Sequence, residues 1–206
     1  MNEDVLAIDR TQPEVEMAAQ KRLEDRTMFG FWVYIMTDCV LFPVLFAVFA
    51  VLHNNTNGGA DARQLFSPAY ALVETILLLT SSFTSGLALL SARRKGATFT
   101  VFWLLVTFAL GAAFLGMELS EFHHLVAEGN SWRASGFLSG FFTLVSTHGL
   151  HITAGLLWIA VLIANLAKRG FTPSVMRKLG LFAMFWHFLD VVWIFIFSIV
   201  YLMGAV

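Results

Sequence analysis

Five long apolar runs, almost free of charged residues, are the feature that most limits how this chain can fold. The runs lie between Arg26 and His53, between Arg63 and Arg93, from Gly96 to Met117, from Ala134 to Ala167, and from Lys178 to the C-terminus. Each is long enough to cross a bilayer as a helix, which takes about 20 residues. Only 13% of the 206 residues are charged, roughly half the usual fraction in a soluble domain. The chain is therefore predicted to be a membrane protein.

The predicted fold is an all-α bundle of five transmembrane helices. None of the runs has the short alternating pattern of an outer-membrane barrel strand. The expected spans are 29–51, 69–91, 98–120, 138–162 and 181–203, which together make a transmembrane domain over 28–206. Residues 1–27 form a polar tail, in which Thr11 and Glu14 make a weak capping box and predict a short surface helix over 12–26.

The orientation follows from the basic residues, which sort between alternate ends of the spans. Eleven fall on the side of the N-terminus: Arg10, Lys21, Arg22, Arg26, Arg93, Arg94, Lys95, Lys168, Arg169, Arg177 and Lys178. Only Arg63 and Arg133 fall on the other side. Because cytoplasmic loops carry the excess of Lys and Arg, we expect a cytoplasmic N-terminus and a C-terminus outside.

Several function classes are excluded by what the sequence lacks. The one cysteine, Cys39, lies inside the first span, so this chain alone can form neither an intrachain disulfide nor a cysteine metal cluster. The net charge is −1, and the basic residues are accounted for by the orientation of the chain in the membrane. The sequence therefore predicts no basic surface that would bind a nucleic acid. No phosphate loop, nucleophile elbow or zinc motif is present.

Four polar residues are expected within a turn of the membrane midplane: Asp38, His148, His151 and Asp190. Polar groups at one depth can pair across helices, which makes them tolerable in hydrocarbon. For His148 and His151, packing with interhelical hydrogen bonds is the favoured interpretation. The alternative is axial haem ligation or a metal pair, which would need facing ligands and room for a macrocycle.

The segment "WHFLDVVW" places His187 and Asp190 on one helix face, one turn apart. Asp190 is positioned to accept a hydrogen bond from the imidazole. A satisfied buried pair is the favoured interpretation, and a proton relay is the alternative.

Asp38 lies five residues before Pro43. Because proline has no N–H, the Cys39 carbonyl loses its helical partner, which predicts a kink in the first span. We expect a neutral acid that holds this kinked helix against a neighbour or a lipid.

The remaining acids and histidines are expected near the outer interface. Glu74, Glu118 and Glu121 would reach headgroups or water there, with His123 and His124 beside them. A divalent metal site built from Glu121, His123 and His124 is an alternative. The fourth span also carries a stripe of small and hydroxyl residues for close helix packing, namely Gly136, Gly140, Thr143, Thr147, His151 and Gly155.

The motifs together resemble a known family. In order, "GFWVYIMTDCVLF", "VETILLLTSS", "GMELSEFHHL", "STHGLHITAGLLW" and "FWHFLDVVWIFIF" are similar to subunit III of the haem-copper terminal oxidases. The resemblance covers about residues 29–203. Five spans rather than seven, the "EFHH" variant and the "YLMG" ending resemble the bacterial cytochrome bo-type ubiquinol oxidase branch.

The resemblance implies an accessory role inside an oxygen-reducing, proton-translocating complex of the bacterial inner membrane. Family members carry no redox centre; haem, copper and ubiquinol are expected in partner subunits. This chain would pack on catalytic subunit I beside subunit II and a small subunit IV, hold phospholipid, and support stability and proton uptake.

The resemblance also carries over individual residues. It places the family's intramembrane carboxylate, usually Glu, at Asp38. It places the family's paired histidines at His148 and His151, and the terminal His and Asp at His187 and Asp190. The chain lacks two leading helices that form one wall of the lipid cleft in seven-helix relatives.

Two other function classes are alternatives to this one. The first is a haem-bearing cytochrome anchor, and the second is a carrier with a continuous water-filled path through Asp38 and Asp190.

Overall fold

The chain is almost entirely helical in the computed structural model, which describes residues 3–58, 65 and 67–202. Five long helices follow one another, namely α1 Glu3–Leu52, α2 Pro68–Arg93, α3 Ala97–Ala127, α4 Gly136–Arg169 and α5 Pro173–Ile196. A π-helical segment, Phe197–Leu202, continues α5. The described residues contain no strand, so the predicted all-helical fold class is confirmed.

Five helical stretches are long and apolar enough to cross a membrane. They are Asp25–Leu52, Pro68–Arg93, Ala97–Ala127, Gly136–Lys168 and Pro173–Leu202. The predicted spans fall within these stretches up to residue 202, where the described part of the chain ends. The chain is thus a membrane protein with the five helices that its apolar runs predicted.

Short polar and turn-forming residues set the helix ends. The Ser135 side chain accepts a hydrogen bond from the Leu138 backbone N–H, and the Thr172 side chain accepts one from Val175. Both are N-caps that satisfy backbone donors left free in the first turn. Proline opens α2 and α5, where its missing N–H costs nothing. At Gly170 a positive φ of 63° ends α4 in a conformation that suits glycine.

Helix α1 differs from the predicted short surface helix over 12–26. The structure joins that segment to the first span in one helix of 50 residues. No proline separates the tail from the span, and Gly30 alone costs a helix only about 1 kcal/mol. Helix also continues on both sides of Pro43, so the loss of one hydrogen bond there does not end α1.

The chain divides into two compact units at Leu41. The first is the N-terminal part of α1, and the predicted boundary at residue 27 lies inside this helix. The second holds the end of α1 and the other four helices. Within it α2 contacts α3 and α5, while α4 also contacts α3 and α5. These four helices therefore form a closed ring around a common core.

Candidate functional site

Two tryptophans of α5 are anchored in the core by hydroxyls of α2. Trp186 Nε1 donates to Ser81 Oγ at 3.1 Å, and Trp193 Nε1 donates to Thr75 Oγ1 at 3.1 Å. Both indoles are buried, and a buried indole N–H needs such an acceptor. The two donors are seven residues apart on α5 and the two acceptors are six residues apart on α2, so the bonds are separated by about 9–10 Å along both helices. They therefore fix the register of α5 against α2.

The Trp186 ring fills a slot that two glycines leave open. A Cβ atom on Gly155 of α4 would lie 2.5 Å from Trp186 Cζ3, and one on Gly111 of α3 would lie 2.9 Å from Trp186 Cζ2. Side chains larger than hydrogen cannot occupy either position without moving the indole. One α5 side chain thus makes close contact with α2, α3 and α4.

Three glutamates from two helices form a group that we call the carboxyl cluster: Glu74 on α2, with Glu118 and Glu121 on α3. Glu74 is 0% exposed and Glu118 is 2% exposed, and Glu121 is half-buried. Glu118 interacts electrostatically with both other members. Tyr201, in the π-helical segment, donates its hydroxyl to Glu121 Oε2 at 2.8 Å. The segment that extends α5 thereby covers the cluster.

The burial of Glu74 and Glu118 corrects the expectation that they reach headgroups or water. Helical phase explains the difference. Glu74 lies on the face of α2 that also buries Thr75 and Leu78, and Glu118 Oε1 lies against the α4 backbone, 2.6 Å from where a Gly149 Cβ would be. Depth in the span placed both residues near one end of the bundle, but phase directs their side chains inward. Counting residues along a span gives the depth of a side chain in the membrane, but it does not give the direction in which the side chain points.

His187 and Asp190 are joined through a third residue rather than by the predicted direct hydrogen bond. The Ser82 hydroxyl of α2 lies 2.5 Å from His187 Nδ1 and also interacts with the Asp190 carboxyl. Asp190 is buried, whereas His187 is exposed on the surface of the chain. The set therefore runs from a buried acid, through a hydroxyl, to an imidazole at the surface of a membrane span.

His148 and His151 have different surroundings. His148 is fully buried; its ring stacks on Trp193 with centroids 5.3 Å apart and meets Phe114 edge-on at 6.0 Å. Neither of its ring nitrogens has a hydrogen-bond partner among the described residues. His151 is half-buried, and its Nδ1 lies 2.7 Å from the Thr147 carbonyl of its own helix. Both rings pack against aromatic side chains, His148 against Trp193 and His151 against Phe42, and no interhelical hydrogen bond to His148 is seen in the described part of the chain.

Asp38 is buried, and its side chain hydrogen-bonds with Tyr34 one turn earlier on α1. The phenol and the acid lie on the same face because residues four apart are neighbours on a helix. The unusual acid of the first span thus has a local partner within α1.

The small-residue stripe of α4 meets two different neighbours. A Cβ on Gly140 would lie 3.5 Å from the Phe49 backbone, and one on Gly136 would lie 3.1 Å from the Asn55 amide. The N-terminal half of the stripe therefore packs on the end of α1 and on the connection that follows it. Gly155, at the other end, faces Trp186. The Thr143 and Thr147 hydroxyls bond back to carbonyls of α4 itself, those of Ser139 and Thr143.

The alternative of a divalent metal site at Glu121, His123 and His124 finds no support in the geometry. Both histidines are exposed; His124 Nδ1 lies 3.5 Å from Glu128 Oε1, and Glu121 is engaged by Tyr201. Across the described residues, no group of three or more His, Cys, Asp and Glu side chains is arranged to hold a metal ion.

Sequence reasoning missed the hydroxyl face of α2. Its buried members recur at helical spacing: Thr75, Ser81, Ser82, Thr84 and Ser85. They supply the partners of Trp186, Trp193, His187 and Asp190. The signal was present in the sequence as the run "TSSFTS", whose members recur at helical spacing from Glu74 and Thr75. Gly111, Gly149 and Tyr201 were also missed, since nothing local marks a glycine or tyrosine as facing a particular neighbour.

Comparison with known proteins gives a consistent assignment. The family model described as cytochrome c oxidase subunit III matches residues 12–205. The chain is 55% identical to the cytochrome bo(3) ubiquinol oxidase subunit 3 of Pseudomonas aeruginosa over 179 residues, covering 87% of this chain and 86% of that protein.

Two further relatives are named for different electron donors. The chain is 48% identical to a quinol oxidase subunit 3 of Bacillus spizizenii over 177 residues, covering 86% of this chain and 87% of the relative. It is 43% identical to a cytochrome c oxidase subunit 3 of Bacillus sp. (strain PS3) over 204 residues, covering 97% of this chain and 99% of the relative. The similarity extends over most of the length of each protein.

Proposed function

The chain belongs to the cytochrome c oxidase subunit III family, and we propose that it is the third subunit of a cytochrome bo-type ubiquinol oxidase. The observation that carries this proposal is the 55% identity to a relative named for that complex, over most of both chains. In this role the chain is a non-catalytic part of an enzyme that oxidises ubiquinol and reduces oxygen to water. A cytochrome c oxidase is the second candidate, because a relative with that name aligns over 97% of the chain.

The packing around His148 supports a chain that holds no redox centre. Haem iron must approach a ring nitrogen directly, with the macrocycle set across it. Both nitrogens of His148 lie under other protein atoms, and Trp193 covers one ring face. Haem, copper and ubiquinol are therefore assigned to partner subunits in this proposal.

The surface of the membrane spans supports a partner chain. His187 is exposed within α5, and an imidazole exposed to lipid at that depth is costly. A neighbouring protein helix that offers a polar group would remove this cost. We assign that neighbour to the catalytic subunit I of the complex, with subunit II and a small subunit IV as further partners. Large apolar side chains exposed elsewhere on the spans, such as Phe83 and Leu157, suit phospholipid.

The first expected result concerns spectra. If the tagged chain is purified gently from its native membrane, we expect the complex to show haem in a reduced-minus-oxidised spectrum. The chain separated from the complex is expected to show none. Haem retained by the separated chain would make His148, His151 or His187 a ligand and would overturn the proposal. Ubiquinol oxidation by the complex, without oxidation of reduced cytochrome c, distinguishes the two candidate oxidases.

The second expected result concerns orientation in the bacterial inner membrane. With Cys39→Ala as background, Lys95→Cys tests the α2–α3 connection and Glu128→Cys tests the α3–α4 connection. Both native side chains are exposed. A membrane-impermeant maleimide added to intact spheroplasts should label the Glu128→Cys variant and spare the Lys95→Cys variant until the membrane is opened. The reverse pattern would place the N-terminus outside and contradict the positive-inside assignment.

A further inference from the structure

We propose that the carboxyl cluster of Glu74, Glu118 and Glu121 is an internal proton-binding site, where the carboxyls share protons with one another and with internal water. The inference concerns this chain's own residues and does not depend on which electron donor the oxidase uses. Its ligands are protons and water. The cluster lies within about 15 Å of the bundle end at which α2 and α4 begin and α3 ends.

The first support is the set of buried polar atoms without partners. Both carboxyl oxygens of Glu74 and one of Glu118 have no hydrogen-bond partner among the described residues. A buried polar atom left without a hydrogen bond costs about 1–3 kcal/mol. Such atoms in folded proteins are normally satisfied by ordered water, and a protonated carboxyl supplies a donor of its own. Three such oxygens in one cluster therefore require donors beyond the side chains that the structure describes.

The second support is the sign of the surrounding charges. Glu74 interacts with Glu121, and Glu118 interacts with both. Tyr70 on α2 and Tyr201 in the π-helical segment interact with the same acids. Among the described residues, the groups that interact with Glu74 and Glu118 include no cation. Like-charged carboxylates at a shared buried site do not all ionise unless a cation joins them, so with no described cation we assign protons to the cluster.

The third support comes from α4 and involves no acid. His148 is fully buried, and neither of its ring nitrogens has a hydrogen-bond partner among the described residues. A neutral imidazole carries one donor and one acceptor, which a water molecule can satisfy. His148 precedes Gly149, and Glu118 Oε1 lies against that glycine. His148 therefore lies at the level of Glu118 in the bundle, and its ring meets Phe114, one turn before Glu118 on α3.

Tyr201 indicates where residual negative charge would rest. Its hydroxyl donates to Glu121 Oε2, and a hydrogen bond from a donor stabilises the ionised form of a carboxyl. Glu121 is also the most exposed of the three acids. We therefore assign the exchangeable charge to Glu121, and the retained protons to Glu74 and Glu118.

Infrared spectroscopy of the purified complex tests this inference. Protonated carboxylic acids absorb in a window free of carboxylate and amide bands, and the band shifts on transfer from H₂O to D₂O if the proton exchanges with water. We expect Glu74→Gln and Glu118→Gln each to remove the absorbance of a single carboxylic acid. Glu128→Gln is the matched control, because Glu128 is exposed at the end of α3, and it should leave the band unchanged.

Tyr201→Phe provides a second variant that keeps all three acids. Removing the donor to Glu121 should favour its protonated form and add carboxylic acid absorbance, an effect that a purely structural tyrosine would not produce. Unchanged spectra for both Glu→Gln variants would mean that the buried acids are ionised and neutralised by a cation outside the described residues. That result, or a band that resists exchange in D₂O, would overturn the inference while leaving the haem spectra unaffected.

Discussion

Trp186→Ala is expected to be the most damaging single substitution in the bundle, at about 3–5 kcal/mol of stability. The indole is 1% exposed and contacts α2, α3 and α4 through Ser81, Gly111 and Gly155. In a membrane the hydrophobic effect does not drive helices together, so packing and interhelical hydrogen bonds supply the stability. Alanine would remove both at once and leave a cavity that the two glycines cannot fill. Thermal dissociation of the subunit from the purified complex measures the loss.

Trp132→Ala is the matched control, because it makes the same chemical change at a side chain that is 52% exposed. We expect its effect to stay below about 1 kcal/mol, as for most surface substitutions. Equal losses for the two alanine variants would show that the slot around Trp186 does not hold the ring of four helices together.

Gly155→Ala is expected to destabilise the bundle by about 1–3 kcal/mol, although alanine is the better helix former. The added methyl would lie 2.5 Å and 2.8 Å from two carbons of the Trp186 six-membered ring. The indole is rigid and its N–H is tied to Ser81, so the backbones of α4 and α5 must separate. The same thermal dissociation measurement should show a lower midpoint and a lower yield of the assembled subunit.

Gly180→Ala is the control for this change, since a Cβ at that position in α5 meets nothing within 4 Å. It should be neutral or slightly stabilising. Trp186→Phe should relieve part of the Gly155→Ala penalty, because phenylalanine lacks the second ring that causes the clash. A double variant whose loss equals the sum of the single losses would contradict a direct contact, since independent sites add.

The helices were predictable because their signal is local and repeated. Some 20 consecutive apolar residues admit one arrangement in a bilayer, a helix that pairs its own backbone groups. The hydroxyl and glycine positions were only partly predictable. Gly136, Gly140 and Gly155 shared a stripe in the sequence, yet they face different partners, the end of α1 and Trp186. A stripe shows that helices approach closely, and it does not say which helices.

The acids and histidines mark the limit of the sequence most clearly. Depth along a helix follows from counting residues, so it correctly brought Glu74, Glu118 and Glu121 to one end of the bundle. Whether such an acid faces water, lipid or core depends on how its helix is rotated against the others. Only the packed structure decides that rotation, which buries Glu74 and Glu118 together and exposes His187. The sequence by itself therefore determined five membrane helices and the family to which they belong, because these depend on composition and motif order. The tertiary structure alone decided that Ser82 lies between His187 and Asp190 and that Glu74 and Glu118 are buried beside Glu121. These contacts join residues that are far apart in the chain, and Ser82 and His187 alone are separated by 105 positions.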